Sequence, residues 1–325
     1  MKVGPWTPSL LPSMVRFWNR SFASRRNFIP MTEGSFRERV LAKETSYEKF
    51  DPSCLIVARE GKEIAGFVHV GIRPEHLCRV LDPEWRRGTQ GYVGFLFVDP
   101  DRRRKGLGTD LWHRALERLR GTRQVVLDGQ CFNPFYGNSE GPFTPMWGTP
   151  EGVSIDWNDS ATKKFLARKG FAPRFKAVQL MIELGPLAAP DGKASRALAR
   201  QGYELQTIRD FYPEIGHGLK ERRPILPGLI YEVVVALHRR KVVGLISMYP
   251  MVATRPGLFG IYEAVVVESL RGRALGRRLL EAAVGRMKEQ GGAQCEVLTL
   301  PELSPAAHKL YLEAGFVPVQ NWAIY

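Results

Sequence analysis

Two stretches of this chain repeat one pattern. Residues 91–119 read GYVGFLFVDPDRRRKGLGTDLWHRALERL, and residues 260–288 read GIYEAVVVESLRGRALGRRLLEAAVGRMK. Each begins with an apolar run rich in β-branched and aromatic residues, which predicts a buried strand at Tyr92 to Val98 and at Ile261 to Val267. A short basic loop follows, and then a helix whose apolar residues recur every four positions. Each copy is therefore predicted to be a strand, a basic loop and an amphipathic helix.

The flanks of the two copies repeat as well. Before each copy lie two predicted strands joined by a polar turn, near Glu60-Gly61 and near Arg239-Arg240. After each copy the sequence predicts one more strand and a closing helix that ends in Gly-Phe, at Gly170-Phe171 and Gly315-Phe316. The strands are expected at 124–127 and 294–298, and the helices near 160–169 and from Pro305, capped by Asn158 or Asp159 and by Ser304.

This order predicts two tandem mixed α/β domains, each built on one sheet. A final strand is expected to close each half, at Ala177 to Leu184 and at Pro318 to Tyr325. The boundaries follow from a Gly-, Pro- and Ala-rich stretch: residues 1–187, a linker at 188–202 with a short helix at 196–200, and residues 203–325. Residues 129–157 form a long loop rich in Gly, Pro and aromatic residues, which predicts a pocket lining or a packing surface.

Composition narrows the class of protein. Among the 325 residues, 44% are hydrophobic and 25% are charged, which is typical of a soluble globular protein. No apolar run is long enough to span a membrane and no signal peptide is recognisable, so a cytoplasmic location is expected. The four cysteines form no C-x-x-C pair, which argues against zinc and predicts reduced, buried thiols. The net charge of +14 predicts an anionic ligand: a polyphosphate cofactor, nucleic acid or a membrane surface.

The basic loops are where an anionic ligand would bind. A helix start presents unpaired N–H groups and partial positive charge, glycines allow close approach, and Arg and Lys add full charge. Together these features predict a pyrophosphate seat, although neither loop has the spacing of a P-loop or of a dinucleotide fingerprint. The second loop has Ala274 where the first has Gly106, and this methyl group is expected to crowd a phosphate or to change the loop dihedrals.

At these residues the chain resembles the GNAT superfamily of N-acetyltransferases. The family pattern Q/R-x-x-G-x-G/A is met by Arg103, Gly106 and Gly108, and by Arg271 and Gly276 with Ala274 as a departure. The later element N-x-x-A-x-x-x-Y before Gly-Phe is read as Ser304, Ala307 and Tyr311 in the second half, and as Asp159, Thr162 and Leu166 in the first. The resemblance covers nearly the whole chain.

The resemblance implies that acetyl-CoA, or another acyl-CoA, is the co-substrate and that no metal is needed. The backbone that polarises the thioester is implied at the end of the fourth strand, and the pyrophosphate seat in the loop that follows. The implied cofactor-binding residues are Leu96, Phe97, Val98, Arg103, Arg104, Lys105, Gly106, Leu107, Gly108 and Thr109 in the first half, and Val265, Val266, Val267, Arg271, Gly272, Arg273, Ala274, Leu275, Gly276 and Arg277 in the second.

The resemblance also implies direct transfer of the acyl group to an amine. Tyr311 stands where family members place the phenol that protonates the departing thiolate, and Glu263 is a candidate to bind the amine or to take its proton. The first half has Leu166 and Phe95 at these positions, with Tyr136 of the long loop as a substitute acid. His113 and His308 are interpreted as surface or capping residues.

The two halves therefore look specialised: the first has the complete loop, and the second has the better catalytic set. Tandem GNAT enzymes with activity in the C-terminal domain are similar to this plan. The rival hypothesis is a non-catalytic acyl-CoA sensor or a basic nucleic-acid-binding protein, although no nucleic-acid-binding motif is present. The acceptor, a small-molecule or peptide amine, and the oligomeric state, monomer or homodimer, stay open.

Overall fold

A computed structural model describes residues 1–24, 28, 30–42, 49–127, 154–185, 192–209, 212–219, 222–223, 232–251 and 256–325. The first half contains a five-stranded sheet in the order β1-β2-β3-β4-β5. Its elements are β1 (Lys2–Pro5), α1 (Leu11–Phe22), α2 (Glu33–Phe36), β2 (Leu55–Glu60), β3 (Glu63–Arg73), α3 (Glu75–Leu81), β4 (Gln90–Val98), α4 (Leu107–Arg118) and β5 (Gln124–Leu127).

The second sheet has eight strands in the order β6-β15-β7-β14-β13-β12-β11-β8. The elements from the middle of the chain are β6 (Ser154–Asp156), α5 (Ser160–Ala167), β7 (Phe175–Glu183), α6 (Gly192–Arg200), β8 (Tyr203–Arg209), β9 (Tyr212–Pro213) and β10 (Arg222–Arg223). The remaining elements are β11 (Glu232–His238), β12 (Lys241–Pro250), β13 (Leu258–Val266), α7 (Leu275–Glu289), β14 (Gln294–Thr299), α8 (Pro305–Glu313) and β15 (Val317–Ile324).

The repeat predicted from the sequence is confirmed in the fold. In both halves the middle strand pairs antiparallel with the strand before it and parallel with the strand after it, as β4 does with β3 and β5 and as β13 does with β12 and β14. Both predicted turns occur, because β2 ends at Glu60 before β3 begins at Glu63, and β11 ends at His238 before β12 begins at Lys241. Each half also has a first strand, β1 or β8, that the sequence pattern did not predict.

The strand expected to close the first half belongs to the other sheet. Strand β7 (Phe175–Glu183) lies between β14 and β15 and pairs antiparallel with both. The short β6 pairs with β15 at the edge of the same sheet. Helix α5, which lies between these two strands in sequence, stays with the first half, where Phe165 and Phe171 pack on Trp112 of α4. The prediction that residues 177–184 complete the first sheet is therefore wrong, because pairing partners are set by tertiary contacts.

Each sheet has two differently covered faces. In the second half, α7 and α8 cover one face over the apolar residues of β13 and β14, among them Phe259, Ile261 and Cys295. A separate cluster that includes Tyr249 and Tyr262 lies on the opposite face. In the first half, α4 covers one face, and α1 covers the other with an aromatic cluster around Trp18.

The helix ends follow the predicted chemistry in part. Asp159 caps α5, since its side chain accepts a hydrogen bond from the backbone N–H of Thr162. Helix α8 begins at Pro305 as predicted, but the side chain of Ser304 makes no capping bond. Gly170 and Gly315 have φ of 87° and 95°, the left-handed conformation expected after a helix. Cys54, Cys78 and Cys295 are buried free thiols, as predicted, and Cys131 lies outside the described residues.

The position of β7 makes a prediction about truncation. A fragment of residues 203–325 lacks β7, so the facing backbone groups of β14 and β15 lose their hydrogen-bond partners. We expect that fragment to aggregate or to remain unfolded, and a fragment of residues 172–325 to unfold cooperatively on heating. Circular dichroism and calorimetry of both fragments test this. Equal, cooperative unfolding of the two would show that β7 is dispensable.

Buried His69 makes the stability of the first half depend on pH. His69 is almost wholly inaccessible and stacks on Phe50, with ring centroids 4.4 Å apart. Burial lowers the pKa of His69 from 6.5 to about 3, an effect that the charge of Asp51 opposes. The unfolded chain therefore binds this proton more readily than the folded protein does. The stability is present in full above about pH 6.5 and is lost as the pH falls toward 3.

The variant His69→Phe should lack this dependence. Between pH 6.5 and pH 4.5, the free energy of unfolding of the unmodified protein should fall more steeply than that of the variant, by up to about 1.4 kcal/mol per pH unit. Urea unfolding at intervals of half a pH unit measures both slopes. Parallel slopes would mean that His69 takes up its proton in the folded protein without cost.

Candidate functional site

The first basic loop forms a solvent-exposed turn at the start of α4. Gly106 is the residue before the helix and has φ of 83° and ψ of −17°, a left-handed conformation. Arg104, two residues earlier, also has a positive φ, of 62°. Space is open where a side chain on Gly106 would begin, since no atom lies within 4 Å of that position. The turn therefore exposes the first N–H groups of α4 beside Arg104 and Lys105.

The second loop has the same conformation as the first, with the same two residues in the left-handed region, but its glycine stands at the earlier of these two positions. Gly272, with φ of 77°, corresponds to Arg104, and Ala274, with φ of 60° and ψ of 5°, corresponds to Gly106. Of the two expectations for Ala274, a change in loop dihedrals is wrong, because alanine adopts nearly the same left-handed geometry. Each loop thus places glycine at one left-handed position and a larger residue at the other.

An arginine ties each loop to the preceding strand. The Nε of Arg103 donates to the carbonyl oxygen of Val98 at 3.0 Å, and the Nε of Arg271 donates to that of Val266 at 3.2 Å. The guanidinium of Arg103 also lies over the ring of Phe97, 5.5 Å from its centroid. These bonds hold the first arginine of each loop at the end of its strand, with the exposed Arg104 and Lys105, or Arg273, at the mouth of the loop.

The second glycine of each loop is a packing position. A methyl group on Gly108 would lie 3.7 Å from the ring of Phe165, and one on Gly276 would lie 3.4 Å from the side chain of Leu310. The closing helix of each half therefore contacts the start of the loop helix at the glycine. Thr109 and Leu107, with Leu275 and Arg277, continue the first turns of α4 and α7.

The middle strand of the second half separates from its parallel neighbour before it reaches the loop. Pairing of β13 with β14 ends at Ile261 and Val297. Beyond this point, Val265 to Val267 are half-buried. The split opens beside the implied carbonyl-polarising segment of the second half, so this segment can meet a ligand along its edge. In the first half, pairing of β4 with β5 is described as far as Val93 and Leu127, and Leu96 to Val98 are half-buried.

A bulge at the split changes which face each side chain occupies in β13. Ser247 pairs with Glu263 while Met248 pairs with Ile261, so Tyr262 is the extra residue. The backbone N–H of Glu263 donates to the hydroxyl of fully buried Ser247 at 3.1 Å. Since Ala264 packs under α7 and Tyr262 packs on the opposite face, Glu263 lies on the face away from α7 and α8.

Tyr311 lies on the helix-covered face of the same sheet. It is 2% exposed, and its ring packs edge-on against Phe316 at 5.2 Å between centroids. Burial, together with the nearby Cys295 thiol, raises the pKa of Tyr311 well above its usual range, so the phenol keeps its proton at neutral pH. Glu263 and Tyr311 thus lie on opposite faces of one sheet. Glu263 follows the last pair of β13 with β14 by two residues, and Tyr311 lies beside Cys295, which comes two residues before that pair on β14.

The first half has no counterpart to this pair among its described residues. Phe95, paired with His69 as Glu263 is with Ser247, stacks on Phe67 at 5.1 Å and on Trp18 at 5.9 Å. Leu166, at the position of Tyr311, is buried. The face where an amine would approach is therefore filled by aromatic side chains. Tyr136, the substitute acid considered from the sequence, lies outside the described residues, as does most of the loop 129–157.

Comparison with known proteins agrees with this geometry. The model of the acetyltransferase (GNAT) family matches the chain twice, at residues 12–134 and 197–316. The chain belongs to the GNAT family. The GNAT fold supports acyl transfer in general, and the two matched segments are the two halves that carry the loops. A search of curated proteins found no match.

Solved structures, one of them a tandem GNAT protein, share the fold at low sequence identity. The chain is similar to a tandem GNAT protein from the clavulanic acid biosynthesis pathway, with a TM-score of 0.59, 16% identity, and 99% and 96% of the two chains covered. A GCN5-related N-acetyltransferase from Sphaerobacter thermophilus matches with a TM-score of 0.56 and 14% identity, and the match covers 99% of this chain and 93% of that one. A GCN5-related glucosamine N-acetyltransferase region of a fungal multi-domain β-N-acetylglucosaminidase matches with a TM-score of 0.61 and 17% identity. The match covers 98% of this chain but only 37% of that protein.

Sequence patterns missed a buried polar cluster in the second GNAT sheet. Glu296 of β14 is fully buried, and its carboxylate accepts a hydrogen bond from the amide nitrogen of Gln179 at 3.2 Å. The amide oxygen of Gln179 accepts one from the indole of Trp322, also at 3.2 Å. A polar residue inside an otherwise apolar strand, as in the QCEVLT of β14, is the signal that could have found Glu296.

His308 is also tied into the second half. Its Nδ1 lies 2.8 Å from the hydroxyl of Thr299, and that hydroxyl donates to the carbonyl of Val178 on β7. Because a hydroxyl has one hydrogen, Nδ1 must be the donor to Thr299. His308 is therefore a half-buried packing residue of α8 rather than a capping residue. His113 lies on the exposed side of α4.

No group of three side chains suited to a metal occurs among the residues whose structure is described. Within the same ranges, none of the helices combines the length and apolarity that crossing a membrane requires.

The left-handed Ala274 makes a prediction about stability. A left-handed conformation costs an L-residue about 1 to 2 kcal/mol, and glycine avoids this at some cost in chain entropy. We expect Ala274→Gly to raise the free energy of unfolding by about 0.5 to 1 kcal/mol. The matched control is Ala282→Gly in the middle of α7, which should lower it by about 1 kcal/mol. Chemical denaturation measures both, and a loss of stability in Ala274→Gly would contradict the argument.

Proposed function

We propose that this protein is an N-acyltransferase that transfers an acetyl group from acetyl-CoA to a primary amine, with the chemistry in the second half. The observation that carries the proposal is the arrangement of Tyr311 and Glu263 on opposite faces of the sheet near the split of β13 and β14. A thioester held in this split would have a proton donor on one side and a carboxylate on the other.

The loop residues would hold the cofactor. The exposed first turn of α7, with Arg271 and Arg273, suits the pyrophosphate. The N–H of Val267 donates to the carbonyl of Val243 on the β12 side, so by alternation the N–H of Val266 faces the open edge of β13, where it could donate to the thioester carbonyl. The amine would approach from the face of Glu263, because α7 and α8 cover the other face. This placement leaves the acceptor site open toward the side that carries the carboxylate.

The reaction needs one bond to form and one to break. The amine nitrogen attacks the thioester carbon, and the carbon–sulfur bond then breaks. Glu263 takes the proton that the amine loses, directly or through water, and Tyr311 gives a proton to the departing thiolate. The raised pKa of Tyr311, which results from burial, favours the protonated phenol that this role requires.

We propose that the first half holds a second cofactor molecule without transferring its acyl group. Its loop has the same conformation as the second loop, which supports binding. The aromatic packing of Phe95 and the presence of Leu166 leave the positions equivalent to Glu263 and Tyr311 without an acid or a base in the first half. In this proposal the two halves share a seat for the cofactor and differ in what surrounds the thioester.

The test of catalysis is Tyr311→Phe. Release of CoA thiol from acetyl-CoA is followed with glucosamine, spermidine and a short peptide as acceptors, because one similar structure is a glucosamine N-acetyltransferase region. We expect kcat to fall about a hundredfold, with acetyl-CoA affinity unchanged. Unchanged turnover in Tyr311→Phe would contradict the assignment. Binding of acetyl-CoA with no turnover of any amine would favour a sensor.

Two matched variants separate the halves. Lys105→Glu and Arg273→Glu occupy equivalent, exposed positions at the mouths of the two loops and reverse the charge of each anion seat. Calorimetric titration of acetyl-CoA should find two sites in the unmodified protein and one in each variant, with turnover lost in Arg273→Glu alone. Loss of turnover in Lys105→Glu alone would move the chemistry to the first half.

A further inference from the structure

Glu296 is a buried carboxyl group that the proposed reaction does not yet use. It lies in the middle of the second sheet, paired with Gly260 of β13 and with Met181 of β7. A buried carboxylate is costly unless hydrogen bonds stabilise it. A protein whose only need was a stable strand would place an apolar residue there, as the first half does with Val126, which pairs with Tyr92.

The described hydrogen bonds beside Glu296 direct a donor toward its carboxyl group. An indole nitrogen can only donate, so Trp322 fixes the amide oxygen of Gln179 toward itself. The amide nitrogen of Gln179 must then face Glu296 and donate to it. All three side chains are at least 96% buried, so this orientation is sheltered from water. Trp322 and Gln179 thus form a relay that ends at the carboxylate.

Glu296 faces the side from which the amine would come. Neighbouring strands place paired residues on the same face, so Glu296 shares its face with the position of Gly260. The ring of Tyr249 covers that position, since a methyl group on Gly260 would lie 2.7 Å from the ring. Tyr249 and Tyr262 belong to the cluster on the face away from α7 and α8, which is also the face of Glu263. The last pair before the split is the next one along, Ile261 with Val297.

Gln179 lies in the segment that the sequence pattern assigns to the first domain, residues 1–187. It lies on β7, which follows α5, and α5 packs on the first half through Phe165 and Phe171. We infer that Glu296 is a positioning residue that draws the ammonium group of the acceptor toward the split, and that Gln179, supplied by the first half, holds its charge in place. This inference rests on the proposed function. It means that the second half cannot complete its acceptor site without the strand of the first.

An exchange of the two side chains separates this role from a merely structural one. In the double variant Gln179→Glu and Glu296→Gln, the carboxylate at 179 accepts from Trp322 and from the new amide at 296, so the two described hydrogen bonds of the cluster are kept. The charge, however, moves one strand away from Gly260. We expect wild-type-like thermal unfolding and acetyl-CoA affinity, with kcat/KM for spermidine reduced about tenfold to hundredfold. Glu302→Gln, which removes an exposed charge in the loop after β14, is the control and should leave kcat/KM unchanged.

A second variant decides the matter if the exchanged protein does not fold. Gln179→Met keeps the volume and removes the donor, so kcat/KM for spermidine should fall about tenfold while the affinity for acetyl-CoA stays the same. The inference is overturned if kcat/KM for spermidine in the exchanged protein stays within about threefold of the wild-type value. If the exchanged protein does not fold, the same result in Gln179→Met overturns it.

The proposed function can fail independently. If the protein acetylates no amine, spermidine is titrated calorimetrically into the wild type and into Glu296→Gln. Binding that is lost in Glu296→Gln keeps the role of Glu296 while the transfer reaction is abandoned. Equal binding, or none to either protein, overturns both.

Discussion

The backbone hydrogen bonds of β7 are the constraint on which the arrangement of the two halves depends. This strand lies in the segment that the sequence pattern predicts to close the first domain, but it pairs on both sides within the second sheet, with β14 and with β15. Its apolar residues enter the core under α7 and α8, as Leu180 and Ile182 do. The strand also carries Gln179 to Glu296 and the Val178 carbonyl to Thr299. The chain is therefore a duplicated fold whose copies are joined through one shared sheet.

The two loops keep one conformation with different residues. Each loop has two residues in the left-handed conformation before its helix. Only one of the two is glycine, Gly106 in the first loop and Gly272 in the second. The Arg103 and Arg271 clamps to the preceding strand are the same in both. The two loops therefore keep the same backbone geometry although their residues differ. An anion seat in both loops requires this, because the ligand would meet backbone N–H groups rather than a particular side chain.

The faces away from the loop helices have diverged much further. In the first half, Trp18, Phe67 and Phe95 fill this face with stacked rings. In the second half, the equivalent strand carries Glu263, and β14 carries Glu296. The packing of tyrosine on glycine is also exchanged between strands: Tyr92 of β4 covers Gly71, whereas Tyr249 of β12 covers Gly260. At these positions the first half has aromatic rings where the second has carboxyl groups, which is the physical basis for proposing that the chemistry takes place in the second.

Local patterns in the sequence were enough to predict the repeat, the family and the basic loops of this protein. The alternation and apolar runs of β4 and β13, the four-residue spacing in α4 and α7, the glycine-containing basic loops and the terminal Gly-Phe pairs are all readable within about thirty residues, and they predicted the repeat, the family and the anion seats. The partner of β7, the face on which Glu263 lies, the burial of Tyr311 and the relay to Glu296 were decided by tertiary structure alone. Strand pairing joins residues more than a hundred positions apart, as Gln179 and Glu296 are. A single bulge at Tyr262 resets which face each following side chain occupies, and neither effect leaves a periodic trace in the sequence.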